Sequence, residues 1–279
     1  MPELPEVEYG RKVAHGVAVG RTVARVWVAD DDIVIHGCTP AELREALAGA
    51  VVVGTGRHGK HLWLELDRRP WPMFHFGMTG AFRTPSDEAI QLETGPSVAS
   101  GAWPPRFAKI HLWFDDGAQL VMTNSRRLGR IRLRGDPSRE APVSKLGFDP
   151  LRTLPRPEQF RKLLARRGRA KLKGLLLDQS FAAGVGNWIA DEVLYQAGLD
   201  PRRTVGSLDD AELTRLRSRL RGVIKTAVRL DARKERFPKS WLFAHRWGRQ
   251  EGARTARGEA IEFLTVAGRT TAWVPAAQS

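Results

Sequence analysis

The sequence predicts an α+β chain: an N-terminal antiparallel β-sandwich with a leading helix, then a helical half that closes on a β-hairpin. Three observations carry this. Short apolar runs rich in Val, Leu and Trp, separated by Gly, Pro and Asp, fill residues 1–134. Prolines 137, 142, 150, 155 and 157 then crowd together, and the strand-like alternation stops. Beyond them apolar residues recur at helical spacing until two β-prone runs near the C-terminus. The expected division is a sandwich domain at 1–134, a linker at 135–156, a helical domain at 157–242 and a hairpin at 243–279.

Leu4, held extended by the proline that follows, leads into a first helix with Pro5 at its first position and Glu6 and Glu8 in its first turn, ending near Gly16. Apolar runs at 22–28, 51–53, 62–66, 73–76, 110–114, 119–122 and 131–133 predict strands. Thr39 caps a short helix at 40–48, and Asp115-Asp116-Gly117 is a hairpin turn. Residues 85–105, with Gly, Ser and paired prolines, read as a long loop. Helices are expected at 157–165, 172–179, 187–197 and 208–230, the last with Leu213, Leu216, Leu220, Ile224 and Val228 on one face. Runs at 260–266 and 270–274 form a hairpin joined by Ala267-Gly268-Arg269, with Arg269 at its tip.

Composition narrows the function. Lys and Arg number 45 against 31 Asp and Glu, a formal net charge of +14, which points to a polyanionic partner such as nucleic acid. An anionic-membrane anchor is disfavoured because the basic residues spread over both halves of the chain. No apolar run of about 18 residues is present, and the N-terminus carries acids where a signal peptide carries bases. The expected location is the cytoplasm with the nucleoid in a bacterium, or the nucleus in a eukaryote. One cysteine, Cys38, excludes an internal disulfide and any thiolate-based zinc site.

The opening Met1-Pro2-Glu3-Leu4-Pro5-Glu6 carries chemistry if Met1 is removed. The terminus is then a secondary amine, with an ordinary α-amino pKa of roughly 7.7–8.0, beside the Glu3 carboxylate. Attack on an aldehyde-level carbon gives an iminium that cannot shed its charge by losing an N–H proton. A helix N-terminus disfavours a cation there, whereas Glu3 and Glu6 favour one, so the sign of the shift stays open. An ordinary trimmed terminus is the plain alternative. Four other stretches suggest contact with DNA. Lys60 follows a glycine before a strand, and Met78 stands between glycines as an unbranched wedge. The stretch 124–132, which holds Arg126, Arg127 and Leu128, alternates bases with apolar residues, as in proteins that hold an extruded nucleotide. Lys173 opens a segment in which a Gly184-Val185-Gly186-Asn187 turn joins two helices, a natural phosphate site.

Residues 2–8, the stretch 75–80, the arginines 126–127 and above all the segment 175–192 resemble the Fpg/Nei family, the formamidopyrimidine-DNA glycosylases and endonuclease VIII-like enzymes of base excision repair. The resemblance runs the length of the chain in the same order. It implies a bifunctional DNA glycosylase and abasic-site lyase, monomeric and cofactor-free, acting on damaged double-stranded DNA. Pro2 matches the nucleophile that attacks C1′ of the flipped nucleotide, Glu3 the adjacent general acid, and Lys60 a phosphate grip beside the lesion. Met78, Arg126 and Leu128 match the side chains that fill the gap, and Glu6 lies in the lesion pocket. Lys173, Asn187 and Arg269 fall among the DNA contacts of a helix-two-turn-helix and a finger.

The chain departs from the family at two places. Where many bacterial members build a four-cysteine zinc hairpin it has Trp247-Gly248-Arg249-Gln250 and Trp273-Val274-Pro275-Ala276, so it resembles the zincless-finger members, with packing of Phe263 and Trp273 expected to replace the metal. Leu128 stands where the wedge is usually Phe, which removes aromatic stacking. Zincless relatives favour formamidopyrimidines, further-oxidised guanines and abasic sites over 8-oxoguanine. Residues 231–241 fall where a lesion-capping loop lies in the family, without a clear match. The competing reading is a non-catalytic protein that binds or bends damaged duplex through the same basic face.

Overall fold

The computed structural model describes residues 1–86 and 102–279, so most of the expected loop at 85–105 lies outside the described residues. The chain divides into two compact units, Met1–Lys145 and Leu146–Ser279. In the first, α1 (Leu4–Ala18) precedes β1 (Val23–Val28), α2 (Pro40–Leu47) and β2 to β8 (Val52–His58, His61–Leu66, Trp71–His75, Ala81–Arg83, Ala108–Phe114, Gln119–Thr123 and Arg130–Arg134). Two four-stranded antiparallel sheets result, ordered β1-β6-β7-β5 and β2-β3-β4-β8. Leu62, Leu64, Phe74, Phe82, Ile110, Leu112 and Met122 build the core with Val7 and Ala14 of α1, each large side chain contributing about 1.5–3 kcal/mol by leaving water. The expected α+β sandwich with its leading helix is present.

Differences from the expected elements have physical causes. Strand β2 extends to His58 because backbone pairing carries Gly54-Thr55-Gly56, residues without an apolar signature. Helix α1 begins one residue before Pro5 and runs past Gly16 to Ala18. It lies so close to the sheet that a Cβ at Gly10 would meet the Phe76 ring at 2.6 Å. Helix α2 has its Thr39 cap, the hydroxyl accepting from the Glu42 N–H, and Gly117 turns β6 into β7 at a φ of +85°.

The second unit holds α3 (Pro157–Ala165), α4 (Leu172–Leu177), α5 (Asn187–Ala197), α6 (Asp210–Arg229) and the hairpin β9 (Glu262–Val266) to β10 (Arg269–Trp273). Asp209 caps α6, which buries Leu216, Leu220, Val223, Ile224 and Ala227. The hairpin turns on Ala267 and Gly268, both at positive φ, the geometry of a two-residue primed turn. Arg269 is therefore the first residue of β10, paired with Val266, and not the tip.

Candidate active site and nucleic-acid interface

Helix α1 mounts the N-terminus. Pro2 and Glu3 are buried, Glu3 being only 3% exposed, and the Glu3 N–H donates to Glu6 Oε2 at 2.9 Å. Burial lowers the pKa of the terminal amine, here that of Met1; Glu3 and Glu6 push it up, and Lys60 and Arg126 push it down. At Met1, desolvation outweighs the two carboxylates. The charges of Lys60 and Arg126 are felt at this amine together with those of Glu3 and Glu6. Glu6 is raised to about 7 by burial and by the Glu3 charge, so it carries a proton for much of the time near neutrality.

Lys60 occupies the two-residue turn between β2 and β3, with Gly59 at a φ of +56°. Two residues that sequence reasoning missed position it. Arg57, 2% exposed, donates from Nε to Glu8 Oε2 at 2.6 Å and from Nη1 to the Gly59 carbonyl at 2.9 Å. Burial pushes Glu8 up, but Arg11 and Arg57 more than offset it and the net shift is downward, which keeps the carboxylate charged. An arginine between glycine and histidine gives no sign in the sequence that it will be buried. Behind the turn, His61 and His75 face each other across β3 and β4 with ring centroids 4.8 Å apart. Burial and neighbouring cations depress them to about 3 and about 4, so both are neutral near pH 7.

Met78 and the 126–128 loop are brought together by Asn124, which is fully buried. Its Nδ2 donates to the Phe76 carbonyl at 2.8 Å, and its Oδ1 accepts the Gly129 N–H at 3.1 Å. Ser125 Oγ bonds Thr79 Oγ1 at 3.0 Å. The approach is tight enough that a Cβ at Gly77, whose φ is +61°, would lie 2.3 Å from the Leu128 carbonyl carbon. The arginine pair divides its labour. Arg127 binds Asp31, which also takes Lys109 at 2.7 Å, whereas Arg126 and Leu128 stand exposed, Leu128 by 47%. Burial raises the Asp31 pKa, but its bonds to Arg127 and Lys109 dominate and hold it far below the usual carboxylate range.

In the second unit the turn between α4 and α5 is organised by Gln179, whose amide donates to the Leu177 and Val185 carbonyls and accepts the Gly184 N–H. Asn187 heads α5 and donates from Nδ2 to the Thr270 carbonyl at 2.9 Å, which sets it beside the strand that Arg269 opens. Arg269 is exposed. Lys173 corrects an expectation. It is fully buried, its Nζ 2.6 Å from Asp191 Oδ1 and 2.7 Å from Thr271 Oγ1, so it holds the hairpin and offers nothing to a phosphate. Asp191 Oδ2 also receives Arg246 and the Ala272 N–H. The expected packing is present as well: Phe263 borders a cluster of Leu242, Ile261, Ala272 and Val274, and Arg202 stacks on Trp273. Within residues 231–241, Ala232, Phe237 and Trp241 are buried, Phe237 and Trp241 joining Trp188 and Phe243 in an aromatic cluster, while Glu235, Arg236, Lys239 and Ser240 are exposed.

A thiolate-held zinc does not fit this hairpin. The only cysteine lies in the sandwich unit, and no group of three metal-ligating residues exists among the described residues. No helix among them is long and apolar enough to cross a membrane.

Comparison with known proteins adds the family. The formamidopyrimidine-DNA glycosylase N-terminal domain matches residues 1–131, and the H2TH domain of the same enzymes matches 146–239. A formamidopyrimidine-DNA glycosylase of Arabidopsis thaliana is 39% identical over the whole of this chain and 71% of its own length. One from Pelobacter propionicus is 31% identical with both chains fully covered. The Lactococcus lactis enzyme, solved bound to DNA containing an abasic site, superposes with a TM-score of 0.79 over 99% of both chains at 24% identity, which shows the shared fold. With the sandwich, the two-turn helical segment and the hairpin all in family order, the chain belongs to the formamidopyrimidine-DNA glycosylase family.

Proposed function

We propose that this protein is a bifunctional DNA glycosylase and abasic-site lyase of base excision repair, acting as a monomer on oxidised bases flipped out of duplex DNA. The observation that supports this best is a buried Pro2-Glu3 terminus at whose amine the charges of Glu3, Glu6, Lys60 and Arg126 are all felt. With Met1 removed, the Pro2 nitrogen attacks C1′ and the base leaves with its bonding electrons. Glu3 donates a proton to the sugar ring as it opens. The resulting iminium acidifies the C2′ proton, and β-elimination breaks the strand 3′ to the lesion. A second elimination can then release the sugar remnant. Lys60 grips a phosphate beside the lesion; Met78, Arg126 and Leu128 occupy the vacated stack; Asn187 and Arg269 hold backbone phosphates from the helical unit. Formamidopyrimidines, further-oxidised guanines and abasic sites are the favoured substrates. Work on chromosomal DNA puts the protein with the nucleoid or in the nucleus.

Borohydride reduction during reaction with abasic duplex tests the reading. Processed protein gives a covalent adduct, and residues appended ahead of Pro2 abolish it while DNA binding persists. Absence of the adduct from protein shown by intact mass to begin at Pro2 overturns the proposal.

A further inference from the structure

Phe107 combines two anomalies. It is 45% exposed, and its φ is +64°, a region costly for a bulky side chain and maintained only where the surroundings impose it. Trp27, Ile33 and Val53 are comparably exposed, yet none has a left-handed backbone. One contact fixes the position of this residue: the Phe107 carbonyl accepts the Asn124 N–H at 3.0 Å. Asn124 is the residue whose side chain ties the Met78 turn to the loop of Arg126 and Leu128. The strained aromatic is therefore wired by one residue to both proposed gap-filling elements. The Arg106 guanidinium lies over its ring, 4.6 Å from the centroid, and places a cation beside the exposed aromatic.

Resting on the glycosylase reading, we infer that Phe107 is a base-stacking residue, which packs against a base of duplex DNA at the step opened by nucleotide flipping. Every base offers a π-face, so such a contact needs no sequence match. It supplies the aromatic surface that Leu128 does not have. Arg106 neutralises the adjoining phosphate while holding one face of the ring.

The test is affinity, by fluorescence anisotropy, for a duplex carrying an uncleavable tetrahydrofuran abasic analogue and for the same duplex intact. Binding to the analogue needs no chemistry, so failure here is separate from failure of borohydride trapping. Phe107→Ala and Phe107→Gly are each expected to lose about tenfold on the abasic analogue, little on intact duplex, while Phe107→Trp retains affinity. The glycine variant accepts the positive φ without strain and is expected to melt no lower than wild type, which separates lost stacking from lost folding. Binding of the abasic analogue unchanged in the Ala and Gly variants overturns the inference. So does an equal loss on both duplexes, or a loss that Phe107→Trp shares.

Discussion

Arg57 Nε lies 2.6 Å from Glu8 Oε2 with both side chains out of water, so one ion pair joins the helix that carries Pro2 to the hairpin that carries Lys60. Removing Arg57 leaves Glu8 with Arg11 as its remaining cation, so the cost stays below that of a wholly uncompensated buried charge, about 3–5 kcal/mol. Arg57→Met is expected to lower kcat far more than it raises KM, because it displaces the turn from the amine. Glu8→Gln, which keeps an acceptor, is expected to do less on both. Steady-state kinetics with melting curves check this.

Asn124→Ala breaks the bonds to Phe76 and Gly129 together, leaving buried partners unsatisfied at about 1–3 kcal/mol. Affinity for abasic duplex is expected to fall, while borohydride trapping on a single-stranded abasic oligonucleotide, where no stack is to be filled, stays near wild type.

Asp191→Asn takes the shared anion from between Lys173 and Arg246. Two buried cations then face each other, and a loss of about 3–5 kcal/mol is expected in denaturant unfolding. DNA affinity falls with it as Arg269 loses its strand. Arg269→Ala should instead weaken binding at unchanged stability and reduce the salt slope by about 1.

Glu192 is fully buried and raised to about 7, first by burial and then by the Asp191 charge. The folded state therefore holds a proton that the unfolded chain releases near its ordinary 4.5. That stabilisation is complete below about pH 4.5 and is lost as pH rises through about 7. Neutral His61 and His75 give the opposite trend, so the informative quantity is the difference from Glu192→Gln. Between pH 5 and 8 the variant is expected to gain on wild type by on the order of 2 kcal/mol in parallel denaturant titrations.

The sequence was read most securely where periodicity or local chemistry sets the answer. Helices Pro157–Ala165 and Asn187–Ala197 fell where apolar spacing, proline and glycine put them. Pro2, Glu3, Lys60 and Arg126 draw notice as an amine, a carboxylate and bases in loops, but their expected roles come from the resemblance to the family. Residues whose meaning lies in a distant partner were not visible. Arg57 needs Glu8, 49 positions away. Lys173, expected among the DNA contacts, is claimed by Asp191 and Thr271, the threonine 98 positions away. Three-residue β5 and the glycine-rich end of β2 exist through pairing alone.

The buried triad of Lys173, Asp191 and Arg246 also bears on when the enzyme is needed. Thiolates that hold a structural metal are oxidisable, and the metal leaves once they are. An ammonium, a carboxylate and a guanidinium have no accessible redox chemistry. The contacts that hold this hairpin therefore offer an oxidant no thiolate to attack and no metal to release.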